Sequence, residues 1–100
     1  MIQGTTPTHV FKLPIETNLL DKIRITYKQL GNVVLEKTEA DLTKSGKELK
    51  YKLTQEETLR FSTQGLVEIQ VKVLTISGTV LASPIQSFSV QRILNTEVLI

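Results

Sequence analysis

The adjacent carboxylates Glu56 and Glu57, in the stretch LTQEETLRF, are the residues whose types most readily suggest chemistry. Two carboxylates can act as general acid and general base when both flank one substrate bond. Neighbouring residues of a helix point in different directions, so these two would not face one substrate. Thr54 precedes Glu57 by three residues, which is the spacing of a capping box. The spacing therefore predicts a short helical turn near residues 55–60, with Glu57 in a structural role.

His9 is the only histidine, and the chain contains no cysteine. A serine triad needs a base held by an oriented carboxylate, and no spacing joins His9 to a serine and to Asp21 or Asp41. The composition excludes thiolate zinc sites and cysteine nucleophiles, and no phosphate loop or nucleophile elbow occurs. We therefore predict no catalytic residue, no metal and no cofactor, and we expect that the protein is not an enzyme.

Two charged segments are candidates for ligand binding. The segment EKTEAD offers carboxylates that would suit calcium, but it lacks the spacing and the glycine of a calcium loop. The segment KSGKELKYK concentrates four lysines, of which Lys50 and Lys52 alternate with apolar residues as on a solvated sheet face. Because the net charge is only +2, we expect no nucleic-acid partner. The residues concerned are Glu36, Glu39, Asp41, Lys44, Lys47, Lys50 and Lys52.

Apolar and polar side chains alternate along most of the chain, which predicts antiparallel strands with one buried face. These strands must position the residues named above. The strands are expected in HVFKLP, KIRITYK, VVLEKTEADL, ELKYKL, LVEIQVKVLTI and TVLASPIQSFSV. Pro7 and Pro14 bracket the first strand and place it at a sheet edge, because proline cannot donate to a ladder. Turns are expected at Gly31-Asn32, Ser45-Gly46 and Ser77-Gly78, with a bulge or a shift between sheets at Pro84.

Length and strand spacing predict one domain, residues 1–100, of the all-β class. About seven short strands with regular turn signals favour an antiparallel immunoglobulin-like β-sandwich, and an open barrel is the alternative.

The chain carries more apolar residues than one buried face requires. We expect Leu74, Ile76 and Leu81 to lie on the outward face of the long hairpin. The last three residues, Val98, Leu99 and Ile100, are apolar where a terminus is usually polar. This tail either completes the core of its own domain or docks on another chain, because exposed apolar patches mark contacts. These six residues are the predicted interface.

Four blocks of the sequence, GTTPTHVFKLP, LTQEETLRF, VEIQVKVLT with SGTVLAS, and SVQRILNTEVL, cover nearly the whole chain. In them the chain resembles a group of small proteins from phages and prophages of Gram-positive bacteria. That group is similar to the β-sandwich modules of phage tails and baseplates, including the N-terminal module of upper-baseplate proteins. The resemblance implies a virion or assembly component that acts through protein contacts, and it carries over no functional residues.

From the resemblance and the apolar surplus we expect other phage structural proteins, and a second copy of the chain in a homo-oligomer, as partners. The expected location is the virion, or the host cytoplasm before assembly. We expect no membrane partner, because no stretch approaches the roughly 18 apolar residues of a membrane span. The alternative function is a ligand-binding or host-adhesion module, whose site would lie in EKTEADLTKSGK with Glu39 and Asp41 as binding groups.

Overall fold

A computed structural model describes all 100 residues, and it has eight strands in two antiparallel sheets. The strands are β1 (Thr8–Lys12), β2 (Leu20–Gln29), β3 (Asn32–Thr38), β4 (Thr43–Ser45), β5 (Glu48–Lys52), β6 (Val67–Thr75), β7 (Val80–Ala82) and β8 (Gln86–Phe88). The smaller sheet has the order β1-β5-β4, and the larger has the order β3-β2-β6-β7, with β8 also paired to β6. The predicted all-β sandwich is confirmed.

Three short helical segments connect the strands. An α-helix, α1, spans Gln55–Leu59, as the capping spacing predicts, and 3-10 turns span Thr17–Leu19 and Glu39–Asp41. The second 3-10 turn ends β3 at Thr38, earlier than the sequence pattern predicts. The strand β4, which the pattern did not predict, follows it. No helix is long and apolar enough to cross a membrane.

The core forms where the alternating apolar residues of both sheets meet. On β2, the residues Ile23, Ile25 and Tyr27 are fully buried, and they lie directly opposite Val73, Val71 and Ile69 of β6. From the smaller sheet, Leu49 and the following Leu53 are also fully buried against them. Removing this apolar surface from water is the main favourable term in folding.

Two of the predicted turns are displaced by one residue. The β2–β3 turn is formed by Leu30 and Gly31, with φ of 53° and 79°, because β3 already begins at Asn32. A two-residue turn with positive φ at both positions matches the twist of a hairpin. The β4–β5 turn is formed by Gly46 and Lys47, since β4 extends through Ser45. The third turn, after β6, contains the predicted Ser77-Gly78 pair.

Pro84 interrupts the last strand without moving it to the other sheet. β7 and β8 both pair with the same edge of β6, and Ser83 between them donates its amide to the carbonyl of Val71 at 2.9 Å. Beyond β8 no strand forms. Gln91 makes only an isolated parallel bridge to Ile2, so the C-terminal segment contributes no ladder to the core.

The molecule is flatter than a compact domain of its length. Its radius of gyration is 14.4 Å, against about 13 Å for a compact chain of this length, and its extents are 47 × 30 × 16 Å. A thin sandwich of this kind leaves strand edges and apolar side chains within reach of other molecules.

Candidate functional site

The buried carboxylate of Glu57 is bonded to three different residues. Its oxygens accept hydrogen bonds from the Tyr51 hydroxyl, at 2.7 and 2.8 Å, and from the Thr54 amide at 2.9 Å. The Lys37 ammonium forms an ion pair with the same carboxylate and lies 4.8 Å from the centre of the Tyr51 ring. The Thr54 hydroxyl in turn accepts from the Glu57 amide at 3.1 Å, so the predicted capping box is confirmed.

Lys37, Tyr51 and Glu57, which we call the Glu57 cluster, join β3 of the larger sheet to β5 and α1. Burial would raise the pKa of Glu57, but hydrogen bonds from Lys37, the Thr54 amide and Tyr51 hold it below its ordinary value. Burial would lower the pKa of Lys37, but its bonds to Glu57 and Tyr51 raise it. Burial and the bond to Glu57 raise the pKa of Tyr51. These pKa shifts favour a stable ion pair between Lys37 and Glu57 over proton transfer. The neighbouring Glu56 is exposed to solvent.

His9 lies on the inner side of β1, half-buried against aromatic rings. Its Nδ1 is 2.8 Å from the Tyr27 hydroxyl, and its ring stacks on Tyr27 and meets the edge of Phe88. Burial lowers the pKa of His9, and the N-terminal ammonium lowers it further. Burial also raises the pKa of Tyr27, reinforced by Tyr51 and Glu57. Both groups are therefore held neutral as packing partners.

The acidic segment is bonded within the chain. Glu39 accepts a hydrogen bond from the Ile23 amide at 3.0 Å and forms an ion pair with Arg24 at 2.8 Å. The Ile23 amide is the first cause of its lowered pKa. Asp41 accepts from the Thr38 amide at 2.9 Å and so caps its 3-10 turn. No group of three or more histidine or acidic side chains is close enough to hold a metal ion.

The structure divides the predicted hairpin residues between two faces. Leu74 lies directly opposite Val80 on the outer face of the larger sheet, and Ile76 in the adjoining turn is 68% exposed. Leu81 lies directly opposite Val73, which is a core residue. The predicted outward position of Leu81 is therefore wrong, because the register of the hairpin pairs Val80 with Leu74 and turns Leu81 inward.

The C-terminal tail lies beside α1 of its own chain. The Gln55 side-chain amide donates to the Leu99 carbonyl at 2.7 Å, and its oxygen accepts from the Leu99 amide at 2.8 Å. Val98 is half-buried, but the Leu99 and Ile100 side chains are exposed. The tail thus has its backbone held by its own domain while most of its apolar surface remains free.

Sequence reasoning missed an opening between the two sheets. Two adjoining hollows, of about 310 and 270 Å³, run along the edge of β1 and share Lys12, Leu13, Val71 and Ser83 in their walls. We call this feature the open groove; its apolar walls come from Phe11, Leu13, Ile15, Val71, Val73 and Leu81. The one feature of the sequence that pointed to this groove was the pair of prolines that bracket β1, because they mark an edge strand.

Comparison with known proteins adds no relative. No protein-family model matches the chain, and neither the curated proteins nor the solved structures give a significant match.

Proposed function

We propose that this chain is a non-enzymatic phage structural protein, of a tail or baseplate, that acts through contacts with other phage structural proteins and with copies of itself. The observation that carries the proposal is the balance of its apolar side chains. Thirteen large apolar residues are exposed, whereas the buried core contains twelve. Single exposed apolar residues are ordinary, but apolar residues that lie together mark interaction surfaces.

Four of the exposed apolar residues lie in pairs at two places that fit an assembly role. At the tip of the β6–β7 hairpin, Ile76 and Val80 are 68% and 55% exposed beside the half-buried Leu74. In the tail, Leu99 is 67% exposed and Ile100 is fully exposed. Association would remove these side chains from water, and each buried CH₂ group contributes about 0.8 kcal/mol.

The bonding of the polar groups supports a structural role over chemistry. Glu57 and Glu39 are bound in ion pairs, and the carboxylate of Asp41 caps a turn. His9 is bonded to Tyr27. Groups committed in this way would first have to break stabilising contacts before they could bind or activate a substrate, and this also disfavours the alternative of an adhesion site at Glu39 and Asp41.

The experiment that tests self-assembly is the solution mass, by light scattering after size exclusion, at several concentrations. We expect an oligomer that dissociates in Leu74→Asp, Ile76→Asp and Leu99→Asp, because each places a charge in an apolar contact. Ser87→Asp is the matched control, since Ser87 is exposed on the outer face, opposite Glu68 and away from the hairpin tip. A wild-type chain that is monomeric at every concentration would contradict self-assembly.

The tail or baseplate context rests on the resemblance in the four sequence blocks. Genes that encode tail and head proteins beside the gene for this chain would support it. A neighbourhood of metabolic genes would contradict it.

A further inference from the structure

The two sheets differ in width by one strand position, and the vacant position lies beside β1. Across the larger sheet lie β3, β2, β6 and the line formed by β7 and β8, whereas the smaller sheet has only β4, β5 and β1. The inner face of β7 is consequently incompletely covered, and Leu81 is 39% exposed although it points inward. The open groove is the space that a fourth strand of the smaller sheet would occupy.

The edge of β1 that faces this space has free backbone groups. The Leu13 amide donates to Lys47 at 2.8 Å and the Leu53 amide donates to Pro7 at 2.9 Å, so the odd-numbered residues of β1 bond to β5. In an antiparallel pair the alternate residues point their amide and carbonyl groups the other way. Those residues are Thr8, Val10 and Lys12; β1 pairs with no strand other than β5, and no backbone bond outside the strand ladders and helices uses these three residues.

We propose that residues 93–100 of a second copy of the chain fill the open groove as an added strand, antiparallel to β1. This inference rests on the proposed self-assembly and names one of its contacts, separate from the one at the hairpin tip. Addition of an extended segment to a free sheet edge is a general mode of recognition, in which backbone bonds give affinity and alternate side chains give specificity.

The tail has the pattern that the groove requires. In an extended chain Leu94, Val98 and Ile100 point to one side; Leu94 is 90% exposed and Ile100 is fully exposed. Pairing of β1 with β1 of a second copy would not supply such side chains, because His9 and Phe11 already pack in their own domain. The tail is therefore the segment with apolar side chains available to enter the groove.

Charge complementarity fixes the register. With the apolar side of the tail facing inward, Glu97 and Leu99 lie on the outer face, which is also the face of Val10 and Lys12. Placing Glu97 opposite Lys12 puts Leu99 opposite Val10, and inside the groove it puts Val98 beside Phe11. One antiparallel register thus matches opposite charges and apolar pairs together, and such cross-strand pairs stabilise sheets.

The contact between Gln55 and Leu99 fits the same register. The Leu99 amide and carbonyl, which the Gln55 side chain bonds in the single chain, are the groups that Val10 would bond in the added strand. Gln55 therefore holds the tail in an extended conformation until the tail binds the open groove of a second copy. We expect Gln55→Ala, which frees the tail, to leave association intact or strengthen it.

The decisive experiment uses paired cysteines in the full-length chain, which has none of its own. Residues directly opposite in an antiparallel ladder have Cα atoms about 5.5 Å apart, which suits a disulfide. We expect a mixture of the Val10→Cys and Leu99→Cys chains, with one chain tagged, to form a mixed covalent dimer on mild oxidation. Val10→Cys alone should not crosslink; a dimer of that variant would indicate β1–β1 pairing and overturn the proposal. The matched control pairs Leu99→Cys with Thr8→Cys, two positions out of register, and we expect it to crosslink poorly.

A second pair of variants tests the backbone bonds. Val10→Pro removes an amide that the single chain does not use, so we expect the fold to persist while association weakens about tenfold, as expected for one lost hydrogen bond. Val10→Thr retains the amide and should associate normally. A wild-type oligomer that gives no crosslink between positions 10 and 99 contradicts the strand exchange but leaves the proposed function standing. A monomeric wild type without the crosslink contradicts both the added strand and the self-assembly.

Discussion

The Glu57 cluster, which includes the central strand β5 of the smaller sheet, and the open groove, which lies at its edge strand β1, differ in how fully their groups are bonded within one chain. At the Glu57 cluster, Lys37 crosses from β3 to bond groups on β5 and α1, and no buried side-chain polar atom is left without a partner. At the open groove, β1 ends the sheet with unbonded backbone groups and incompletely covered apolar side chains. The first region is complete within one chain, and the second is complete only with an added strand.

This difference separates stability from assembly. Groups that are buried and fully bonded contribute to the free energy of unfolding, whereas exposed edges contribute little to it and remain available for binding. Substitutions in the Glu57 cluster should therefore change unfolding, and substitutions along the groove should change association.

The largest effect on stability is expected from Glu57→Ala. It leaves the Lys37 ammonium without its counter-ion, removes the acceptor of Tyr51 and breaks the capping box. We expect a loss of about 3 kcal/mol in the free energy of unfolding, measured by urea denaturation. Glu56→Ala is the control, because Glu56 is exposed and should cost less than about 0.5 kcal/mol. Equal losses in the two variants would contradict the structural role of the Glu57 cluster.

A second prediction compares two residues that lie directly opposite one another on β6 and β7. Val73 is 6% exposed and Leu81 is 39% exposed, although both point inward. We expect Val73→Ala to cost about 2 kcal/mol and Leu81→Ala less than about 1 kcal/mol in urea denaturation, even though the leucine loses more atoms. A larger loss for Leu81→Ala would mean that the groove belongs to the core of the single chain.

How far the sequence predicts these two regions depends on the sequence separation of the partners. The two partners of the capping box, Thr54 and Glu57, are only three positions apart, so their spacing alone revealed it. The alternation in KIRITYK likewise places Ile23, Ile25 and Tyr27 on one face of the predicted strand, and all three are fully buried. Lys37, the partner of Glu57, is 20 residues away on β3, whereas Glu57 is in α1. The available signal was that Lys37 shares the inward side of β3 with the buried Leu35.

The groove and the position of Leu81 were not predictable in the same way. Alternation shows that Val80 and Leu81 point to opposite faces, but the register across the hairpin decides which of them is inside. A change of one residue in the pairing reverses the assignment. The groove depends further on which strands end each sheet, and that is set by contacts between distant parts of the chain.

A third prediction concerns the β2–β3 turn, where strain lies outside both regions. Leu30 has a φ of 53°, a conformation that costs a leucine about 1 kcal/mol and that asparagine adopts more readily. Its side chain is 67% exposed and lies over Gly65, with Cδ2 2.7 Å from the position of an added Cβ. We expect Leu30→Asn to stabilise the fold by up to about 1 kcal/mol, measured by thermal and urea denaturation, without altering association. A loss of stability would show that the contact with Gly65 outweighs the strain.

The smallest effect is expected at His9, which belongs to β1 but packs on Tyr27 at the centre of the core, between the two regions. Burial, and then the N-terminal ammonium, hold the pKa of His9 below its ordinary value of 6.5. As pH falls below about 6.5, His9 of the unfolded chain binds a proton before His9 of the folded chain does. The free energy of unfolding therefore decreases as pH falls from about 6.5 through the lower pKa of the folded state. The lowered pKa of Glu57 acts in the same direction but only below its ordinary value of 4.5.

We therefore expect the urea midpoint of the wild-type chain to decline between about pH 7 and pH 5.5, and the decline to be absent in His9→Gln. If protonation of His9 only loosened β1, association would weaken over the same range in step with stability. Because the groove and the core are separate regions, we expect the crosslink between positions 10 and 99 to form equally well at pH 7 and pH 5.5. Thiol oxidation is slower at the lower pH, so the yield of this crosslink is compared at each pH with the yield of the control pair. A crosslink that fails at the lower pH while the fold persists would show that the two regions are coupled through His9.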